Sequence, residues 1–314
     1  MDNRKVVLVG TGMVGMSFAY AALNQNACDE LVLIDINKAR AVGEAMDLNH
    51  GLAFSKTSMN IYASDYSSCK DADIVVICAG VNQQPGESRL GLLSRNAKVF
   101  ESIITPVLKS GFSGIFLVAT NPVDIMTRIT RDMSGFDTTK VIGTGTTLDT
   151  ARLRYLLGEY FCIDPRNIHA YVIGEHGDSE FVPWSQALVA TKPVFDVIAD
   201  NKDHFFMPEL EHIENMVRTS AHQIIKAKNA TYYGIGMAIV RIVKAIFQNE
   251  NCVLTVCSKM RGEYGLKKVF LGNPCIINRN GVSGILELKL EQNELSQLKK
   301  SATILNESYE KLGI

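Results

Sequence analysis

The sequence carries almost no net charge. Its 314 residues hold 32 Lys and Arg against 33 Asp and Glu, for a formal charge of −1. No basic face is implied, which argues against nucleic acid as a partner. Long apolar runs are missing too, and none approaches the roughly 20 residues that span a bilayer. The opening MDNRKVVLVG becomes strand-like almost at once and leaves no room for a signal peptide. Paired cysteine motifs are absent. The seven cysteines (28, 69, 78, 162, 252, 257 and 275) form no CxxC and are odd in number. They are expected to be reduced thiols of a cytoplasmic protein. There is no repeat, no low-complexity tract and no Pro/Gly/Ser linker. The two halves should therefore share one compact body.

What is present is ordinary for a globular chain, with 46% apolar and 21% charged residues. The first half alternates. KVVLVG (5–10), ELVLIDI (30–36), DADIVVICA (71–79), GIFLVATNP (114–122) and KVIGTG (140–145) read as short buried strands. Helical stretches over 13–24, 39–48 and 91–110 separate them. Continuously apolar strands alternating with helices predict a doubly wound parallel sheet, a Rossmann-type α/β fold over residues 1–145. Residues 146–314 change character and predict an α+β domain. Helices are expected over 148–160, 208–247 (interrupted near 232–236) and 291–312. HAYVIGEHG (169–177) reads as strand into loop, and 253–258, 268–277 and 285–290 as antiparallel strands. Residues 192–210 carry no legible function.

Gly10-Thr11-Gly12-Met13-Val14-Gly15 fits GxGxxG between a strand and a helix. Gly10 allows the tight turn, Gly12 the approach of a pyrophosphate, and Gly15 close helix–strand packing. The helix N-terminus offers free N–H groups to the phosphates. Alone the pattern is weak, since a glycine turn can be ligand-free. Asp35 at the end of the second strand strengthens it. A carboxylate there hydrogen-bonds ribose hydroxyls and repels a 2′-phosphate, favouring NAD over NADP.

Two further stretches carry chemistry. Gly174-Glu175-His176-Gly177-Asp178-Ser179 sets an imidazole among glycines at a strand end. Thr146-Thr147-Leu148-Asp149-Thr150-Ala151-Arg152 sets an acid and an arginine on one helix face, at i and i+3. An Asp beside a His fixes its tautomer and favours its charged form. An Arg can clamp a carboxylate with two hydrogen bonds. Spacing alone does not bring His176 to Asp149, and a surface ion pair with a structural histidine stays open at this point.

Taken together, GTGMVG with Asp35, NQQPGESR, ATNPVD, TTLDTARLR, GEHGDS and NATYYGIG resemble the lactate/malate dehydrogenase family, in its bacterial lactate dehydrogenase branch. The similarity covers essentially the whole chain. It implies that His176 donates and accepts the proton at the C2 oxygen, that Asp149 holds the imidazole, and that Arg152 takes the substrate carboxylate. Asn121 would hydrogen-bond at the meeting point of substrate and nicotinamide. Thr231 would wall the substrate side-chain pocket and Ile235 would pack on the nicotinamide. Gly10, Gly12, Val14, Gly15, Asp35, Tyr66, Gly80, Val81 and Ala119 to Asn121 would line the NAD groove. No metal is implied.

The resemblance also explains VNQQPGESR, the polar segment after the third strand run. It would be a lid, about residues 82–93, closing over the substrate. Arg89 would polarise the carbonyl. Gln83 would face the variable group of the substrate, where related malate dehydrogenases carry an arginine. A neutral amide fits the methyl of pyruvate better than a second carboxylate. In allosteric members, residues matching Arg154 and His169 bind fructose 1,6-bisphosphate between subunits, and the family is commonly tetrameric. A malate dehydrogenase, another L-2-hydroxy acid dehydrogenase and a non-catalytic NAD-binding protein are the competing readings. Asn229, Thr120 and Gly272-Asn273-Pro274 depart from the commoner pattern. Asn229 stands where glycine is usual, beside Thr231.

Overall fold

KVVLV forms β1 (Lys5–Val9), every residue of which is buried. In the computed structural model, residues 3–56, 58–81 and 89–313 are described, Arg89 by its backbone alone. α1 (Met13–Gln25), β2 (Glu30–Ile34), α2 (Lys38–Gly51), β3 (Asn60–Ala63) and β4 (Ile74–Ile77) follow β1. Then come α3 (Arg89–Lys109), β5 (Ile115–Val118), α4 (Val123–Ser134) and β6 (Val141–Gly143). The six strands pair in parallel in the order β3-β2-β1-β4-β5-β6. Alternate residues of one strand serve opposite faces. Val7 and Val9 join one apolar cluster, Val6 and Leu8 the other. Burial on both faces is why these strands are continuously apolar. The order reverses between β1 and β4, and the crevice beyond their carboxyl ends is where ligands of such sheets sit.

The rest of the chain comprises α5 (Thr147–Phe161), β7 (Ile168–His169), β8 (Leu188–Val189), β9 (Lys192–Pro193) and α6 (Val194–Asp200). After these come α7 (Met207–Lys228), α8 (Tyr233–Phe247), β10 (Cys252–Arg261), β11 (Lys267–Asn278), β12 (Gly281–Ile285) and α9 (Gln292–Glu310). β10, β11 and β12 do not make a sheet of their own. β10 lies antiparallel to β6, with Cys257 opposite Gly143, and extends the parallel sheet to nine strands. A third apolar cluster gathers α5, α6 and α7 around β7 and β8. The seven cysteines are free thiols. Among the described residues no helix is long and apolar enough to cross a membrane.

Several expected elements shift. β3 escapes a sequence reading because only Ile61 of its four residues is buried, too short a pattern to register. The strand expected at 285–290 lies instead at Gly281–Ile285 and leaves the sheet where that one was to begin. Of HAYVIGEHG, only Ile168–His169 forms a ladder, while Ile173 and Gly174 make single bridges to Phe181 and Gly272. Residues 192–210 become β9, α6 and the first turn of α7. The segment 82–88, with Gln83 and most of the expected lid, lies outside the described residues. Residues 89–93 are already the start of α3.

The departure at Asn229 has a backbone reason. It is the C-cap of α7 at φ 68°, and its N–H donates to Ile225 O. Asparagine is the side chain that best tolerates this left-handed position after glycine. Replacing Asn229 by Ala should cost about 1 kcal/mol while Asn229→Gly should be nearly neutral, a difference that thermal unfolding of the two variants would read.

Candidate active site

The N-terminus of α5 follows directly on β6 and carries Asp149 in its first turn, where the helix dipole favours a negative charge. Asp149 is 1% exposed. One turn on, Arg152 Nη1 donates to Asp149 Oδ1 at 2.7 Å. The second carboxylate oxygen meets His176 Nδ1 at 2.6 Å. The fold thus joins two stretches that sequence spacing left apart.

His176 sits on a loop closed at its base by the Ile173–Phe181 bridge. The backbone of that loop is pinned from two sides. The His176 N–H donates to Asp124 Oδ2 of α4 at 2.8 Å, and the Glu175 N–H to Ser301 Oγ of α9 at 2.7 Å. Burial works to lower the His176 pKa, but the charge and hydrogen bond of Asp149 outweigh it and raise it to about 9. Burial likewise disfavours the Asp149 anion. His176 and Arg152 reverse that and hold the carboxyl below its ordinary range. Among the described residues Asp124 has no such ion pair, and burial lifts it to about 6 against the His176 N–H it accepts.

These groups open onto a cavity of about 460 Å³ lined by Asn121, Asp149, Arg152 and His176, with Leu90, Leu93 and Ile125 as apolar wall. It holds a proton carrier, a cation able to take a carboxylate and a short apolar surface. Asn121 precedes Pro122 through a cis peptide. Its carbonyl accepts from Asn96 Nδ2 at 3.3 Å, and Asn96 Oδ1 accepts from the Val81 N–H at 2.9 Å. Asn96, 1% exposed on α3, therefore ties the ends of β4 and β5 together. Its signal in the sequence was a lone amide on the apolar face of a helix.

A second opening, of about 730 Å³, lies at the β1/β4 switch point. It is lined by Gly10, Gly12, Asp35, Tyr66, Gly80 and Val81, and also by Lys38 and Arg40. Gly10 sits at φ +99°, and a Cβ there would meet Ala79 N at 2.5 Å. A Cβ on Gly15 would meet Gly10 O at 2.0 Å, which shows how closely α1 approaches the turn. At Gly12 nothing lies within 4 Å of where a Cβ would be, which leaves room for a phosphate. Asp35 Oδ2 accepts from Thr11 N–H and Oγ1 at 2.8 and 2.9 Å, and Oδ1 from the Asn37 N–H at 2.9 Å. Burial opposes its charge, yet these donors outweigh it and keep the carboxyl below its usual range. The open cradle and an ionised acid 20 residues past Gly15 fit a dinucleotide with a free ribose.

Other expected residues fall elsewhere. Gly15 packs behind the groove, and Val14, Ala119 and Ile235 lie half-buried against an apolar cluster. Asn121 lines the first cavity and not the groove. Thr231 is half-buried and is not in the wall of the cavity holding His176. Arg154 points away from that cavity, as its offset of two residues from Arg152 requires. Its Nε donates to Ala170 O at 3.1 Å, and its guanidinium lies 5.2 Å from the Tyr171 ring centroid. His169, next to that carbonyl's residue, is exposed. The side chain of Arg89 lies outside the described residues. Sequence reading assigned no role to Asn96, Asp124, Glu180 or Arg218, which the fold draws to these sites.

Comparison with known proteins agrees with this geometry. Residues 4–143 match the lactate/malate dehydrogenase NAD-binding domain, and 146–313 match the α/β C-terminal domain of that family. The chain is 52% identical to an L-lactate dehydrogenase of Geobacillus sp. (strain WCH70), over 96% of this chain and 95% of the relative. It is 50% identical to one of Oceanobacillus iheyensis, over 98% and 95%. A crystal structure of a lactate dehydrogenase from a Medee basin deep-sea metagenome library superposes with a TM-score of 0.98 at 53% identity, covering 100% of both chains. The ligand-bound minor L-lactate dehydrogenase of Enterococcus mundtii gives 0.96 at 45% identity, covering 98% of both. With NAD as the cofactor its first domain is built to hold, the chain belongs to the lactate/malate dehydrogenase family.

Proposed function

We propose that this enzyme is an NAD-dependent L-lactate dehydrogenase, reducing pyruvate to L-lactate reversibly. The reading rests above all on the arrangement at His176, whose ring is bound to Asp149 at 2.6 Å in a cavity that Arg152 also lines. Residues 1–145 form the NAD-binding part and 146–314 the substrate part. NADH, when bound, supplies the hydride for C2 of the substrate. Protonated His176 hands its proton to the carbonyl oxygen, and neutral His176 takes it back in lactate oxidation. Asp149 keeps Nδ1 as the donor to itself, so that Nε2 faces the substrate. Arg152 holds the carboxylate and Arg89 stabilises the developing C–O⁻ charge. Gln83 is the residue this reading assigns to the methyl group of the substrate.

The same reading assigns Arg154 and His169 to a fructose 1,6-bisphosphate site in a cytoplasmic homotetramer serving glycolytic fermentation. Arg154 reaches the backbone beside His169, which supports placing both at one anion site. Exposed apolar side chains on one protomer, among them Ile36, Phe54, Met46 and Tyr233, support assembly.

NADH oxidation with pyruvate and oxaloacetate side by side, each with and without fructose 1,6-bisphosphate, tests these assignments. Pyruvate should be preferred in kcat/KM by about 10³-fold, because a second carboxylate would be buried unpaired. The sugar bisphosphate should sharpen the preference. Equal or better turnover of oxaloacetate would overturn the assignment to lactate. Pyruvate preference without a response would leave the enzyme and remove the allosteric site.

A further inference from the structure

Glu180 is a carboxyl that the mechanism above does not use. It follows the His176 loop, is 5% exposed, and lines the same cavity. Its Oε2 lies 4.0 Å from His176 Nδ1, the atom already bound to Asp149. Ligand-capable atoms of Asp149, His176 and Glu180 fall within 4.8 Å of one another. Among the described residues, the Glu180 carboxyl accepts no hydrogen bond, whereas Asp149 accepts two charged ones. Among the described residues, the two arginines beside Glu180, Arg152 and Arg218, make no hydrogen bond to its carboxyl. Arg152 is bonded to Asp149. Arg218 of α7 donates to the Glu180 main-chain oxygen and to Glu214 Oε1, with its Nε buried and unpartnered.

Two carboxylates around one imidazole, both almost fully buried, do not both ionise cheaply. Asp149 has the better claim to the negative charge, so Glu180 keeps the proton. We propose that Glu180 is a positioning residue that stays protonated in the resting site and must remain so for an anionic substrate to bind beside Arg152. This rests on the reading of the cavity as the site of a 2-oxo acid. A substrate carboxylate adds a negative charge where Asp149 already holds one. An ionised Glu180 would make a third, repelling the substrate and drawing on His176 and Arg152. A neutral Glu180 leaves Arg152 for the substrate. Burial, and then the charge of Asp149, push the Glu180 carboxyl up to about 8 against His176, Arg152 and Arg218. Among the described residues, Glu175, Asp178, His222 and Lys311 also line the cavity. Asp124 lies behind the His176 backbone.

The test has two arms. In the purified enzyme with labelled glutamate carboxyls, infrared difference spectra should show a protonated carboxyl at pH 7. It should be lost as the pH rises through about 8, absent in Glu180→Gln and retained in Glu214→Gln. In the second arm, KM for pyruvate is followed with pH. It should climb more steeply than tenfold per pH unit above pH 9 in the wild type, because two protons are then lost, and no more steeply than tenfold in Glu180→Gln. No protonated glutamate assignable to Glu180 at pH 7 overturns the proposal, and the wild-type and Glu214→Gln spectra decide this even if Glu180→Gln fails to fold. The band with equal slopes in both proteins overturns the coupling to substrate. The band in an enzyme inert towards pyruvate overturns only the assignment of function.

Discussion

Asp149→Asn is expected to lower kcat/KM for pyruvate by about 10²–10⁴ at pH 7.5, the range set by losing the partner of a general acid. Two losses combine. The asparagine amide can present an N–H to Nδ1 and stabilise the wrong tautomer. It also removes the charge that now overcomes burial and holds His176 near 9. Without it, burial meets less opposition, so His176 titrates lower than in the wild type and a smaller fraction of it is protonated at pH 7.5. Part of the activity should therefore return as the assay pH falls towards 6, while the tautomer defect remains. Steady-state kinetics of the variant between pH 6 and 8 checks this. A loss under tenfold, or one independent of pH, would show that Asp149 does not set the protonation of His176.

Arg152→Lys is expected to raise KM for pyruvate by on the order of 10²–10³ with a smaller effect on kcat, because a guanidinium fork is replaced by a point charge. Arg152 is held in place by its bond to Asp149 and is only 13% exposed at the side chain. From that position one N–H serves Asp149 and the rest of the fork is left for the substrate. Lysine keeps the charge but cannot make both contacts in one plane. Binding of NADH, followed by its fluorescence, should be unchanged, because Arg152 lines the substrate cavity and not the dinucleotide groove. An unaltered KM would remove Arg152 from the carboxylate site.

Much of the dinucleotide half was legible before folding was considered. Its signals are local in sequence. A buried strand such as KVVLV is apolar throughout, a turn at φ +99° beside another backbone accepts glycine, and an acid at a strand end stands a fixed distance along the chain. The second half was less legible. β10 pairs with β6 across more than a hundred residues, and nothing in VLTVCS announces that partner. The strand expected at 285–290 was displaced because ILELKL alternates like an edge strand yet continues as a connection to α9. Asn229, which stands where glycine is usual, occupies a left-handed C-cap position that asparagine tolerates.

The sequence by itself determined which residue types were available for proton transfer and carboxylate binding, and that a phosphate-binding turn follows the first strand. The i, i+3 spacing alone put Asp149 and Arg152 on one face of a helix. Only the tertiary structure decided that His176 meets Asp149, because 27 residues and an excursion through β7 separate them. It alone brought Asp124, Asn96 and Ser301 to the site, each from a different part of the chain, and buried Glu180 beside His176 and Asp149. The physical reason is range. Turn conformation, helical facing and strand burial depend on neighbours a few residues apart. The charge state of a buried acid depends on whichever groups the packed sheet and helices place within a few ångströms, and no local pattern encodes that.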